Sequence, residues 1–296
     1  MAEQLCTANG VELCYETFGD PADPAALLIM GLATQMVGWP DEFCEQLAGR
    51  GFYVIRFDNR DIGRSQTMDG PVPTVRQLVF RIKKAASYTL DDMAEDGFAL
   101  LDHLGIERAH IVGVSMGGMI AQLMAARRPE RVLSLASMLS NTGSLWNGQP
   151  SPLLYPAMLK TPPRDRDGYV NHGVELFSKI GSTEFPRDDD QLREIAERSY
   201  DRGVNFAGST RQLAAIVASG DRTRLLRTIT VPTVVIHGTK DKLVPVSGGR
   251  ATAKAIPGAR LVLIDGLGHD LPRGAWPRML DAIEENAARA GEPATA

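Results

Sequence analysis

The sequence predicts an α/β protein: a mainly parallel, eight-stranded sheet flanked by helices, with a helical lid inserted late in the chain. Three observations predict it. Short apolar runs rich in β-branched residues alternate with helix-forming segments, the rhythm of a parallel sheet. One of those runs meets Gly113-Val114-Ser115-Met116-Gly117 and passes at once into an apolar helical run, the order of a strand, a sharp turn and a helix. The rhythm stops near residue 141 and resumes near 221.

The chain has 296 residues, 44% of them hydrophobic, enough for one large domain with an insertion. The expected division is a core of residues 1–140 and 221–296 and a lid of residues 141–220. A formal net charge of −4 argues against a nucleic-acid partner. No apolar run is long enough to span a membrane. Met1-Ala2-Glu3-Gln4-Leu5 lacks the basic start of a secretory signal, so a cytoplasmic location is expected. Cys6, Cys14 and Cys44 have no metal-binding spacing and are expected as free thiols.

Asn9-Gly10 reads as a two-residue hairpin turn between strands at 3–8 and 11–18. Counting outward from it puts Cys6 and Cys14 on opposite faces. Residues 25–30 form an apolar run suited to a strand buried on both faces. A helix from Trp39-Pro40 to about Ala48 follows, then a strand at 52–57 and a polar turn from Asp58 to Ser65, in which Asp58, Arg60 and Ser65 read as structural, tying the loop together. Residues 66–88, with Arg76, Arg81, Lys83 and Lys84, read as a short helix at most, their charges a solvated face. Thr89 caps a helix that Gly105 ends. After the Ser115 turn, strands are expected at 132–139, 231–238 and 260–264, and helices at 245–255 and 274–289. Between 141 and 220, amphipathic segments at 168–180, 188–202 and 208–218 supply the lid.

Chemistry in a parallel sheet gathers at the carboxyl ends of its strands. Three candidates follow three different strands: Ser115, Asp241 and His269. A serine hydroxyl is a weak nucleophile until a base takes its proton, and a histidine can do so near neutral pH. A carboxylate on the other ring nitrogen fixes the tautomer. Asp265 is a rival for the acid, since such triads are defined by geometry. The oxyanion of an acyl-transfer intermediate needs two N–H donors. Met116 N–H, just past the nucleophile, is one; Leu32 N–H is the other, with Ala33 N–H second in line. Met36, Trp39, Trp146, Tyr155, Met158 and Phe177 are apolar candidates for the substrate pocket.

The chain resembles the α/β-hydrolase superfamily. The residues that carry the resemblance are Gly113 to Gly118, the Asp58-x-Arg60-x-x-Gly63-x-Ser65 turn, Pro129 to Val132, Gly238 to Asp241 and Gly266-x-Gly268-His269. Phe18 to Pro24, Met30-Gly31 and Gly38 to Phe43 are similar to the anthracycline methyl esterases of the aclacinomycin methylesterase kind. The resemblance implies hydrolysis of a carboxylic ester on an apolar ring system. Where the superfamily usually has His-Gly, this chain has Met30-Gly31, which leaves the backbone donor intact and suggests a more apolar pocket floor.

The expected activity is therefore that of a serine esterase forming an acyl-enzyme at Ser115. The substrate is a small-molecule ester, and no cofactor or metal is expected. A monomer or homodimer without nucleic acid or membrane span is expected. The same triad could serve perhydrolase (haloperoxidase), lactonase, carbon–carbon hydrolase or cofactor-free dioxygenase chemistry, because fold and triad do not fix the substrate. A non-catalytic binding protein is the remaining alternative.

Overall fold

The computed structural model describes residues 2–154 and 160–291. Eight strands form one sheet in the order β1-β2-β4-β3-β5-β6-β7-β8. They are β1 (Gln4–Ala8), β2 (Val11–Phe18), β3 (Ala25–Ile29), β4 (Tyr53–Phe57), β5 (Ala109–Val114), β6 (Val132–Met138), β7 (Thr233–Gly238) and β8 (Arg260–Ile264). β1 and β2 pair antiparallel, β2 pairs antiparallel with β4, and every later pairing is parallel.

The hairpin has the expected register, with Ala8 opposite Val11 and Cys6 opposite Leu13. Asn9 and Gly10 both adopt positive φ, 52° and 73°, as a tight hairpin of this hand requires. Cys6, Cys14 and Cys44 are buried free thiols. All five residues of β3 are buried. Ala25, Leu27 and Ile29 face one apolar cluster and Ala26 and Leu28 face the other, so helices must cover both sides of the sheet.

The covering helices are α1 (Asp41–Ala48), the short α2 (Val75–Val79), α3 (Leu90–His103), α4 (Met116–Arg127), α5 (Arg166–Ile180), α6 (Asp189–Arg202), α7 (Phe206–Ser219), α8 (Thr223–Leu226), α9 (Val246–Ala255) and α10 (Trp276–Ala288). Thr89 and Asp92 close a reciprocal capping box at the start of α3. Residues 66–88 contain α2 and a single 3-10 turn, and Arg76, Arg81, Lys83 and Lys84 are all exposed. No described helix is long and apolar enough to cross a membrane.

The segment between β6 and β7 is helical, through α5, α6, α7 and α8. Its attachment to the sheet runs through the turn after β4. Arg202, the last residue of α6, is 5% exposed at its side chain and reaches Asp58 Oδ2 at 2.6 Å. Arg211 of α7 grips Asp61 with both arms, at 2.8 and 2.6 Å, and Tyr88 donates its hydroxyl to the same carboxylate at 2.7 Å. Burial lifts Asp58 to about 6, against the pull of Arg202 and of the Met36 and Arg64 N–H groups. Asp58, Arg60 and Ser65 are structural, as expected. Ser65 Oγ donates to Asp58 O at 2.6 Å, and Arg60 pairs with Asp96 at 2.6 Å.

Two outcomes are expected. Arg211→Met strands the Asp61 carboxylate without its partner in a buried place, and should cost about 3–5 kcal/mol in denaturant unfolding; a loss under 1 kcal/mol would show that the pair does not anchor α7. The second concerns His110, which is buried with Nδ1 2.8 Å from Ser134 Oγ. Burial first, and Arg108 second, pull its pKa down to about 4, from a usual value of 6.5. Between those two pH values the unfolded chain takes up a proton that the folded chain refuses. The His110 contribution to stability is thus complete above 6.5 and is lost as pH falls toward 4. Asp58, with its pKa raised, works in the opposite sense: its contribution is greatest below the usual carboxylate value and is lost as pH rises through about 6. The comparison to make is therefore wild type against His110→Asn. Their stability curves should diverge by up to about 1.4 kcal/mol per pH unit across this window, and parallel curves would refute the assignment.

Candidate active site

Ser115 stands between β5 and α4 with φ 57° and ψ −119°, a left-handed backbone that costs a non-glycine residue about 1–2 kcal/mol. Its neighbours hold it there. A Cβ on Gly113 would overlap the Gly117 carbonyl, and one on Gly117 would overlap the carbonyl of Ile29. The turn can close only because both are glycine. Ser115 N–H donates to Met138 O at 2.9 Å, and Ser140 Oγ donates to Ser115 O at 2.7 Å. The Ser115 backbone is thus tied to the end of β6.

His269 Nε2 lies 3.0 Å from Ser115 Oγ, and His269 Nδ1 lies 2.7 Å from Asp241 Oδ2. A carboxylate can only accept, so Nδ1 carries the proton and Nε2 presents a lone pair to the serine hydroxyl. Asp241 is completely buried at its side chain. Its other oxygen accepts from Leu243 N at 2.9 Å and Val244 N at 2.8 Å, which fixes the carboxylate from behind. The rival Asp265 is exposed. Asp270 turns away to Ser182, accepting from its N–H at 2.9 Å and its hydroxyl at 2.6 Å.

The loop after β3 passes directly over the serine. A Cβ on Gly31 would lie 3.1 Å from Ser115 Cβ and 3.6 Å from its Oγ. Thr34 N donates to Gly31 O at 3.3 Å to close a turn, with Ala33 at φ 58°. Ala33 N–H is taken, donating to Gln212 Oε1 at 3.0 Å. Leu32 N–H has no acceptor among the described residues. Met116 is the first residue of α4, so its N–H lies outside the helical ladder, at the positive end of the helix.

The pocket candidates fare less well. Trp146 is 92% exposed. Its N–H donates to Ser144 Oγ at 3.2 Å in a local turn that faces the indole outward. Trp39 is fully buried in the core on the α1 and α10 side, its ring 5.4 Å from that of Phe43. Met36 is fully buried with Cys14 and Val37. Both are core residues, and so is Met30, which belongs to the Trp39 cluster. Phe177 is half-buried on α5. Tyr155 and Met158 lie outside the described residues. A surface cleft of about 480 Å³, lined by residues 186–190 with Arg273 and Gly274, contains none of the three site residues.

Sequence reasoning missed the groups that hold the site from the helical segment. Residues 180–183 run beside the His269 loop. His269 N donates to Ile180 O at 2.8 Å, Gly268 N to Ser182 Oγ at 2.9 Å, and Thr183 N to Gly266 O at 3.0 Å. Gln35 Nε2 donates to Ser199 O and Gly203 O, joining the β3 loop to the end of α6. One signal was available: Arg211 is the only charge in α7, and Gln212 follows it. Among the described residues no cluster of histidine, cysteine and carboxylates is arranged to hold a metal.

A family model for the alpha/beta hydrolase fold matches residues 24–272. Rhodomycin D methylesterase DnrP of Streptomyces peucetius is 31% identical, over 96% of this chain and 97% of its own. Rhodomycin D methylesterase DauP of Streptomyces sp. strain C5 is 32% identical over the same shares. Among solved structures, a meta-cleavage product hydrolase from Pseudomonas fluorescens superposes with a TM-score of 0.76 at 21% identity, covering 97% of this chain and 98% of that one. With the sheet order, the strand–turn–helix at Ser115 and near full-length identity above 30%, the chain belongs to the α/β-hydrolase family.

Proposed function

We propose that the protein is a serine esterase that cleaves a carboxylic ester, in particular a methyl ester, on an apolar polycyclic substrate. The observation that carries the reading is the continuous relay from Ser115 Oγ through His269 to Asp241, with steps of 3.0 and 2.7 Å. The similarity to two rhodomycin D methylesterases supports the substrate class.

In this reading Ser115 Oγ attacks the ester carbonyl carbon while its proton passes to His269 Nε2. Asp241 stabilises the imidazolium through Nδ1–H and does not itself take the proton. The carbonyl oxygen becomes an oxyanion held by the Leu32 and Met116 N–H groups. The intermediate collapses, the C–O bond breaks, and the alcohol leaves with the proton returned by His269. Water then attacks the acyl-enzyme with His269 as base, the acid is released and Ser115 is restored. The segment of residues 141–220 acts as the cap over this site, resting on the contacts of Arg202, Arg211 and Ser182. Three unpaired cysteines fit a cytoplasmic enzyme, working as a monomer or homodimer.

Ser115→Ala should abolish turnover of a p-nitrophenyl ester while leaving the unfolding midpoint close to wild type; retained turnover would end the serine-esterase reading. Asp241→Asn should lower kcat by about four orders of magnitude, because it favours the wrong imidazole tautomer, and a larger loss in Asp265→Asn would move the acid there. The substrate class is tested by comparing methyl esters of polycyclic acids with acyl esters of rising chain length, lactones and peroxide-dependent halogenation. A preference for methyl esters supports the proposal, and a preference for any other arm replaces it.

A further inference from the structure

We propose that Gln212 is a positioning residue for the oxyanion hole: from α7 it fixes the β3 loop so that Leu32 N–H, and not Ala33 N–H, faces the reacting carbonyl. The inference rests on the serine-esterase reading above and goes beyond it, because it gives a residue of the inserted helices a part in the rate.

Gln212 is completely buried. Its Oε1 accepts from Ala33 N at 3.0 Å and its Nε2 donates to Arg60 O at 2.9 Å. Both partners are backbone groups of fixed polarity, an N–H that can only donate and a C=O that can only accept, so the amide has one orientation. Leu32 and Ala33 are consecutive residues in the tight turn closed by Thr34 N and Gly31 O. With a donor on each, the turn could offer either to an oxyanion. Gln212 removes the ambiguity by engaging one of them. Ala33 sits at φ 58°, a conformation a non-glycine residue keeps only when its surroundings impose it. The Gln212 bond is one such restraint.

The rest of α7 makes this restraint stiff. Arg211, the preceding residue, is clamped on Asp61 by two bonds of 2.8 and 2.6 Å. A Cβ on Gly208 would overlap Asp61 O, so the first turn of α7 lies flush on the turn after β4. That turn also holds the β3 loop directly. Asn59 Nδ2 donates to Met30 O at 3.1 Å, and Asp58 Oδ1 accepts from Met36 N at 2.7 Å. Those two bonds secure the ends of the loop. Gln35 is held by Ser199 O and Gly203 O, and Gln212 adds a polar contact at Ala33, one residue from the proposed donor.

The test uses the whole protein and two variants. Gln212→Asn keeps an amide but withdraws it by one methylene, so it cannot bridge Ala33 and Arg60. Gln212→Met keeps the length and has neither group. A positioning role predicts that kcat falls on the order of 10–100-fold, the cost of a misplaced oxyanion donor, with KM within about twofold. The inhibition constant of a trifluoromethyl ketone, which forms a serine-bound oxyanion, should rise by the factor that kcat/KM falls. Affinity for a carboxylate product should stay unchanged. A merely structural role would lower the unfolding midpoint and leave kcat and the ketone constant intact well below it, which would overturn the inference. If Gln212→Met does not fold, Gln212→Asn decides alone by the same readouts. Ser115→Ala run beside them separates the two failures. Turnover retained there sinks the esterase reading. An inactive Ser115→Ala with full kcat in both Gln212 variants sinks only this inference.

Discussion

The close approach of three backbones at Ser115 is the constraint on which the rest of the structure depends. The end of β3, the end of β5 and the start of α4 meet within van der Waals distance, and Gly113 and Gly117 are the places where no side chain fits between them. Within those contacts Ser115 sits at φ 57°. Two consequences follow without further machinery. The hydroxyl stands at the carboxyl edge of the sheet, where the loops after β7 and β8 end. The loop after β3 has to pass within contact of it, because Gly31 follows directly from the strand that Gly117 packs against. Ser115 and the loop after β3 are therefore positioned by one packing event.

The helices between β6 and β7 are bound into the same event. Two carboxylates in the turn after β4, Asp58 and Asp61, are fully buried, and each receives an arginine from the insertion, Arg202 and Arg211. Burying such charges is expensive, and pairing recovers the cost only with good geometry and further hydrogen bonds. Both carboxylates have these: Asp58 accepts from Met36 and Arg64 N–H groups, and Asp61 from Met68 N–H and the Tyr88 hydroxyl. The arrangement gives specificity of docking more than net stability. An insertion that slid by one residue would strand an arginine and a carboxylate together. The end of α6 and the second turn of α7, which carry these arginines, are thereby fixed to the core.

How much of this was legible in the sequence depends on whether the information was local. Strand and helix positions were, because β3 reads as an apolar run and α3 is bracketed by Thr89 and Gly105. The order Ser115, Asp241, His269 was legible as well, since each residue follows a strand and the sheet gathers strand ends. The turn of Asp58 to Ser65 read as structural, but its partners did not, for Arg202 and Arg211 lie about 140–150 residues away. The pocket was the weakest part. Met36, Trp39 and Trp146 are all large and apolar, and sequence pattern alone does not separate a residue packed in the core from one in a cavity or one turned to solvent. Trp39 went to the core because Phe43, four residues on, shares its face of the chain.

The acid end of the relay shows how packing sets chemistry without touching the substrate. His237, next to last in β7, puts Nε2 3.8 Å from Asp241 Oδ2, a second imidazole beside that carboxylate. It does not compete with His269. Its Nε2–H donates to Val244 O at 2.8 Å, and its Nδ1 has no partner among the described residues. Burial, the dominant influence, holds its pKa below the ordinary histidine value despite the nearby carboxylate. The Nε2 proton, on the nitrogen nearest Asp241, is engaged by Val244 O and is not shared with the carboxylate. Leu243 and Val244 N–H occupy the other oxygen, so the one strong donor left for Oδ2 is His269 Nδ1–H. The tautomer that turns an imidazole lone pair toward Ser115 thus follows from the folding of the Asp241 to Val244 loop, whose Leu243 and Val244 N–H groups hold one carboxylate oxygen and whose Val244 O holds the neighbouring His237.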